Sequence, residues 1–418
     1  MADKSEKETL YFINGTIGTP PHPVRLHIDT GSSDLWVNTP SSTLCREQNT
    51  PCRFAGTYAA NDSETYRYVG SWFNISYVDG SGASGDYVSD TVSFGPAKLE
   101  RLQFGIGYQS TNAQGILGIG YPINEVQVGR AGMQPYRNLP AQMVADGMIQ
   151  SNAYSLWLND LDANTGNILF GGVDSEKFEA PLHTLPIQSE QGFFAEFLIT
   201  LTNVELGETT MSSADDMALA VLLDTGSSLT YLPDNMVQNI YGRVGAQFDE
   251  SNGAAYVPCS LANDRTTLKF TFSEPVIQVD MNDMVLDMYT SSGRRPTFQD
   301  GRTACLFGIA PAGQGTNVLG DTFLRSAYVV YDLANNEISL AQTKFNTTAS
   351  NIVEIGTGAN SVPGASKVAN PVAATSGLTG PGVVNGLGRN AAATSGPAVV
   401  VSFVAVGVSL FVGTFLGL

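Results

Sequence analysis

Basic side chains are scarce in this sequence, and so is charge of either sign. Lys and Arg total 21 against 39 Asp and Glu, and charged residues make up only 14% of the 418-residue chain, well under the usual ~25%. No run of Lys and Arg is dense enough to track a phosphate backbone, which excludes nucleic acid as a main partner. Histidine is almost missing, with three residues at 22, 27 and 183. Four cysteines occur, without a C-x-x-C spacing or a nearby His cluster, so no metal site is indicated. They fall two to each half, a layout that favours Cys45–Cys52 and Cys259–Cys305 over the other two pairings. Residues 1–9 are polar and hold no apolar signal core. A signal peptide, and a pro-segment with it, is therefore expected upstream.

What is present points to strands. Gly is abundant at 44, hydrophobic residues reach 43%, and Ser, Thr, Tyr and Phe are frequent. That mixture favours strands joined by tight turns. Alternating runs such as Thr200–Leu206, Thr267–Phe272 and Tyr328–Leu333 are bounded by turn formers. Helical spacing is best over Asn138–Asp146 and Pro233–Val244, each with a Pro near its start. The net charge of −18 adds a chain that stays compact as carboxylates protonate in acid, or one that is merely soluble.

Three regions differ in composition. Residues 10–343 are globular in composition, preceded by a polar segment 1–9 expected to be disordered. Residues 344–397 are rich in Gly, Ala, Ser, Thr and Pro with almost no aromatics, and read as a flexible stalk. Residues 398–418 are nearly all apolar, long enough as a helix to cross a bilayer, with no basic flank after them. Asn390-Ala391-Ala392 and a short polar spacer precede this run, the layout of a GPI-attachment signal with Asn390 as the attachment residue; a tail-anchored helix is the other reading. Sequons at Asn14, Asn61, Asn74 and Asn346 fit a secreted glycoprotein. Asn14 lies inside an expected strand.

The globular region is duplicated. Leu26-His27-Ile28-Asp29-Thr30-Gly31-Ser32-Ser33 in its first half is matched by Val221-Leu222-Leu223-Asp224-Thr225-Gly226-Ser227-Ser228 in its second. Each is followed, about ninety residues on, by an apolar-apolar-Gly element, Ile116-Leu117-Gly118 and Val318-Leu319-Gly320. Two equivalent lobes with pseudo-twofold symmetry are implied. In each motif three apolar residues lead in from a buried strand, and Asp sits where Gly permits a tight turn. Thr and Ser supply hydroxyls to hold the carboxylate. Two carboxylates brought about 3 Å apart cannot both ionise easily, so they share a proton near acid pH. The ionised partner serves as general base on a water, and the protonated one polarises a peptide carbonyl. The apparent pKa values belong to the pair. His27, two residues before Asp29, shares its strand face and reads as a pocket or sheet residue. No cofactor is implied.

These motifs resemble the pepsin-like aspartic proteases over residues 10–343. Tyr11-Phe12 leading to Ile17-Gly18-Thr19-Pro20-Pro21 is similar to that family's opening strand and turn. The resemblance implies a mostly β, bilobal double β-barrel with the cleft between an N-terminal lobe at 10–185 and a C-terminal lobe at 186–343. It implies Asp29 and Asp224 as the catalytic pair. Gly31 and Gly226 would line the water and substrate, Thr30 and Thr225 would bond across the lobes, and Ser32 and Ser227 would support the carboxyls. Tyr77-Val78-Asp79-Gly80-Ser81-Gly82 looks like the flap, within 75–86, with Tyr77 paired to Trp36; Ser228 joins the substrate-binding set. Many relatives carry Gly where Val78 stands. The tail and stalk narrow the resemblance to fungal yapsin-like and secreted aspartyl proteases, which implies a monomer at the outer face of the plasma membrane or in the wall, acting on peptides and proteins. Gly107–Ala113 is small and polar where relatives selecting apolar residues carry aromatics; with Asp79 it suits a basic side chain or a broad specificity. Two other classes compete: an inactive relative that binds glycans or proteins, and a glycosidase. Glycosidases place their carboxyls at least ~5 Å apart, not in duplicated D-T-G-S turns.

Overall fold

In the computed structural model, residues 2–4, 10–163, 165–211, 217–251, 253–289 and 293–378 are described. The chain is mostly strand, as its composition predicts. The first half gives β1 (Ala2–Lys4), β2 (Tyr11–Ile17), β3 (His22–Asp29), β4 (Leu35–Asn38), β5 (Arg67–Ser76), β6 (Gly82–Phe94), β7 (Ala97–Ser110) and β8 (Gly115–Gly118). Helices α1 (Val126–Ala131) and α2 (Leu139–Ala145) follow. Pro140 lies in the first turn of α2, where its missing N–H has no cost. The second expected helix is found at Asp234–Val244, entered from Pro233 and ended by Gly245 at φ 69°.

The strands that matter for function are central ones. β3 runs antiparallel to β2 and parallel to β8, pairing Asp29 with Gly118. In the second half, strand Leu219–Leu223 runs antiparallel to Leu198–Leu201 and parallel to Val318–Leu319, pairing Leu223 with Leu319. The duplicated sequence has thus become duplicated topology. Each Asp stands at or just past the end of a buried strand, beside the apolar-apolar-Gly element of its own half.

A third layer joins the halves. Strands Ala327–Asp332 and Glu337–Gln342, from late in the chain, pair with Ala153–Trp157 and Leu182–Pro186 from the first half. Tyr154, Phe197 and Tyr331 meet here, with ring centroids 4.6 Å apart for Phe197–Tyr331 and 5.0 Å for Tyr154–Tyr331. The apolar core is continuous across this layer, so both halves present their Asp-bearing turns on one shared foundation. Both disulfides form in the pairing the cysteine layout favours.

Three expectations change. The strand expected over Thr200–Leu206 is two strands, Leu198–Leu201 and Asn203–Leu206. They break because Thr202 turns its N–H (2.7 Å) and hydroxyl (2.9 Å) to Thr271 O. Within the segment 1–9, Ala2–Lys4 fills a place between β2 and Thr165–Phe170, which backbone pairing allows without apolar side chains; residues 1 and 5–9 lie outside the described residues. The flexible stalk expected over 344–397 does not hold for 344–378. Ile352–Glu354 pairs with Gly172–Asp174, and Ala365–Lys367 adds to the exposed edge of Leu182–Pro186. Ile355, Val362 and Val368 are buried, the first two against Val173, Leu182 and Tyr328. Well-spaced apolar residues hold the segment down despite its polar average. Residues 379–397, Asn390 and the apolar run 398–418 lie outside the described residues. Among the described residues, no helix is long and apolar enough to cross a membrane.

Candidate active site

The two Asp-bearing turns interlock. Thr30 N–H donates to Thr225 Oγ1 (3.1 Å) and Thr225 N–H to Thr30 Oγ1 (3.0 Å). Each hydroxyl then donates across the divide, Thr30 to Leu223 O (2.9 Å) and Thr225 to Ile28 O (2.8 Å). Four bonds buried from water hold the turns in one relation, where low dielectric strengthens each of them.

The carboxyls sit in matching cradles. Gly31 N–H donates to Asp29 Oδ1 (2.8 Å) and Gly226 N–H to Asp224 Oδ1 (2.7 Å). Ser32 Oγ donates to Asp29 Oδ2, and Ser227 Oγ to Asp224 Oδ2 (2.7 Å). The glycines are required by space. A Cβ on Gly31 would lie 2.5 Å from Asp224 Oδ1, and one on Gly226 would lie 2.5 Å from Asp29 Oδ1 and 2.9 Å from Asp224 Oδ1. Each turn therefore closes over the other half's carboxyl. Ser228 follows, half-buried, its carbonyl accepting Thr322 N–H at 3.2 Å.

Asp29 and Asp224 are 5% and 9% exposed. Burial raises the pKa of both. Asp224 is pushed up to about 7, by burial first and then by the charge of Asp29, against the pull of Ser227 and Gly226. Asp29 is also raised by burial and stabilised as an anion by Ser32, by Asp224 and by the Gly31 N–H. No cation stands among the largest influences on either one. Two buried carboxyls in contact resist ionising together.

His27 shares β3 with Asp29 but points to structure. Its Nε2 donates to Thr225 O at 3.0 Å, and burial lowers its pKa, which favours the neutral ring. It braces the opposite turn.

A hairpin made by β5 and β6 covers the pair. At its tip Tyr77 N–H donates to Ser81 O (2.8 Å) and Asp79 Oδ1 accepts Ser81 N–H (2.8 Å), while Gly80 takes φ +81°. Val78, where relatives carry Gly, is 77% exposed and leaves that turn intact. Trp36 Nε1 donates to the Tyr77 hydroxyl at 2.8 Å. Burial and the Asp29 charge push the phenol of Tyr77 up, and Ser32 pulls it down, which sets its hydroxyl beside Ser32. Asp79 is exposed, yet its charge reaches the half-buried Tyr231 of the facing half, whose pKa rises to about 12 through desolvation, then Asp79, then Asp224. The tip overhangs the cleft. Of the stretch expected to wall the first pocket, Ser110 Oγ donates to Asn38 Oδ1 (2.7 Å) and Gly82 N–H to Thr111 Oγ1 (2.9 Å), tying the wall to the flap base.

One cluster has no counterpart in the sequence reading. Asp34, behind Trp36, accepts from the hydroxyls of Tyr87 (2.5 Å) and Tyr136 (2.9 Å) and from Val126 N–H (2.8 Å). Beside it, Glu125 Oε2 accepts Tyr136 N–H at 2.7 Å, and its Oε1 has no partner among the described residues. Asp34 was visible inside D-T-G-S-S-D-L-W; its partners stand 53 to 102 residues away with no local signal. The sequon asparagines 14, 61, 74 and 346 are all exposed.

Mirrored turns, two buried carboxyls in contact and a hairpin cover are a layout suited to a hydrolase. The chain belongs to the eukaryotic aspartyl proteases: that family's model matches residues 10–343. It is an aspartic-type endopeptidase. It is 57% identical over 370 residues to the probable aspartic-type endopeptidase opsB of Aspergillus oryzae, covering 88% of this chain and 75% of that one. To aspartic proteinase 3 of Saccharomyces cerevisiae it is 31% identical over 441 residues, covering 87% and 74%. The crystal structure of the aspartic proteinase from Irpex lacteus matches its fold with a TM-score of 0.66 at 22% identity, over 84% of this chain and 99% of that one.

Proposed function

We propose that Asp29 and Asp224 carry the hydrolysis as a proton-sharing pair. The carrying observation is their placement: both buried, in mirrored Gly and Ser cradles, with no cation among the largest influences on either. A water between them loses a proton to the ionised carboxylate as its oxygen attacks the peptide carbonyl carbon. The protonated partner donates to the carbonyl oxygen, giving a tetrahedral diol. A proton then passes to the leaving nitrogen, the C–N bond breaks, and the carboxyl product and amine leave with the pair sharing one proton again. Thr30 and Thr225 hold the turns, Gly31 and Gly226 leave room for water, and Ser32 and Ser227 hold the carboxyls. The lobes at 10–185 and 186–343 each contribute one Asp. The flap, 75–86, brings Tyr77, Val78 and Asp79 over the substrate, excluding water. Asp29→Asn or Asp224→Asn is expected to cut cleavage of a denatured protein at pH 4 by about 10⁴ or more with unchanged folding. A near-native rate in either variant sinks this assignment.

The enzyme acts outside the cell, tethered at the membrane or wall as a monomeric glycoprotein, and processes surface proteins. The four exposed sequons and the layout from Asn390 through 398–418 support that reading. Chain lacking 398–418 should be released to the medium. If it stays with membranes, the tether reading fails. Asp79 and the polar wall favour Lys or Arg beside the scissile bond. A cleavage profile on a peptide library with no basic preference would overturn this.

A further inference from the structure

The flap strands and α1 border an open cavity of about 420 Å³. Its walls include Trp72, Asn74, Ser84, Gly85, Arg130 and Ala131. The mixture is an aromatic face with hydroxyl, amide and guanidinium groups, the chemistry that receives a sugar ring: carbon–hydrogen faces lie on aromatics while hydroxyls meet polar groups. One of its accessible groups lacks an ionic partner. Arg130, exposed, has no carboxylate among the described residues and donates only to Ser76 Oγ at 3.1 Å. The half-buried Trp72 offers the ring itself, since its indole N–H is turned away from solvent.

The wall also supplies an occupant. Asn74-Ile75-Ser76 is an N-glycosylation sequon, and its Asn74 is exposed within the cavity lining. The Arg130–Ser76 bond does not block modification, because the sequon is read before the chain folds. We propose that Asn74 carries an N-glycan whose first N-acetylglucosamine lies in this cavity, between Trp72 of the flap strand and Arg130 of α1. The sugar is attached to β5 and rests on α1, so it braces the flap strands against the lobe. The flap tip keeps its freedom, since Val78 to Gly80 lie beyond the contact.

This inference rests on the secretory reading above. The test is production of the full chain in a secreting eukaryotic host, with glycopeptide mapping of all four sequons. Hydrogen exchange is then followed over 71–76 and 126–131 after endoglycosidase H has trimmed glycans to their first sugar. Asn74→Gln and Asn74→Ala, both of which leave the Arg130–Ser76 bond in place, serve as two ways of removing the glycan. Asn74 is expected to be occupied, and both segments should exchange at least threefold more slowly in the trimmed protein than in either variant. Occupied Asn61 or Asn346 with bare Asn74 would overturn the inference and leave secretion standing. Bare asparagine at every sequon would remove both. An occupied Asn74 with equal exchange in all three proteins would show that the sugar projects into solvent and refute the bracing.

Discussion

Glu125→Gln should flatten the dependence of stability on pH. Glu125 is 1% exposed at the start of α1, with one oxygen accepting Tyr136 N–H and the other unpartnered among the described residues. Burial, and then the nearby Asp34, raises its pKa from 4.5 to about 10. The sign follows from which state keeps the proton. Above its ordinary pKa the unfolded chain releases that proton, while the folded chain retains it until near the raised value. Its contribution is therefore complete in acid and is lost as pH rises through that window. Each pH unit inside the window removes ~1.4 kcal/mol, so the rise from pH 4.5 to 7.5 removes ~4 kcal/mol. That is a large share of the ~5–15 kcal/mol that holds a protein folded. Gln keeps the shape of the neutral acid and has no proton to lose. Urea unfolding of both proteins across pH 4–8, in an Asp29→Asn background to stop self-digestion, would measure the difference. The stability curves should converge near pH 4.5 and separate by ~4 kcal/mol at pH 7.5 in favour of the variant. Asp224, raised from 3.8 to about 7 by burial and then by Asp29, also weakens the fold on the way to neutrality; the Asp29→Asn background lessens that share and leaves it equal in both proteins. Parallel curves would mean that Glu125 is ionised in the folded state, and the reasoning would fail.

Gly226→Ala places a methyl 2.5 Å from Asp29 Oδ1; kcat should fall by about 10² with the fold retained, because misplacement of a reacting group costs that much. Steady-state kinetics on a library peptide would check it. Tyr77→Phe removes the acceptor of the buried Trp36 indole and should lower kcat/KM roughly tenfold, with a stability cost of ~1–3 kcal/mol from the stranded N–H. Ile355→Ala, at a fully buried position in the segment after 343, should destabilise by ~2–4 kcal/mol and leave kcat unchanged below the transition. A cost near zero would mean that the segment is not held in solution.

The site was legible because the chain states it twice. Three apolar residues, Asp, Thr, Gly and Ser recur with the same downstream Gly element, and the structure turns that repeat into two parallel pairings, Asp29 with Gly118 and Leu223 with Leu319. The helices at Leu139 and Asp234 were legible through their prolines. What escaped depended on distance or on averaging. Glu125 carries no mark of burial in its own neighbourhood; Asp34 and Tyr136, far apart in sequence, create it. In 344–378, Ile355, Val362 and Val368 are diluted among small polar residues, and composition discards the spacing that lets them reach Val173 and Thr184.

The path of that last segment has a mechanical consequence. After crossing the layer that joins the halves, the chain reaches Ala218, whose carbonyl accepts the N–H groups of Thr375 (2.9 Å) and Ser376 (3.2 Å). Ser376 in turn bridges Leu219 in parallel, at the start of the strand that leads to Asp224. A pull on the chain beyond residue 378 is therefore taken up first by these bonds, in shear, and later by the pairing of Ala365–Lys367 with Leu182–Pro186. The strand bearing one of the two aspartates is the first element of the body to feel that load.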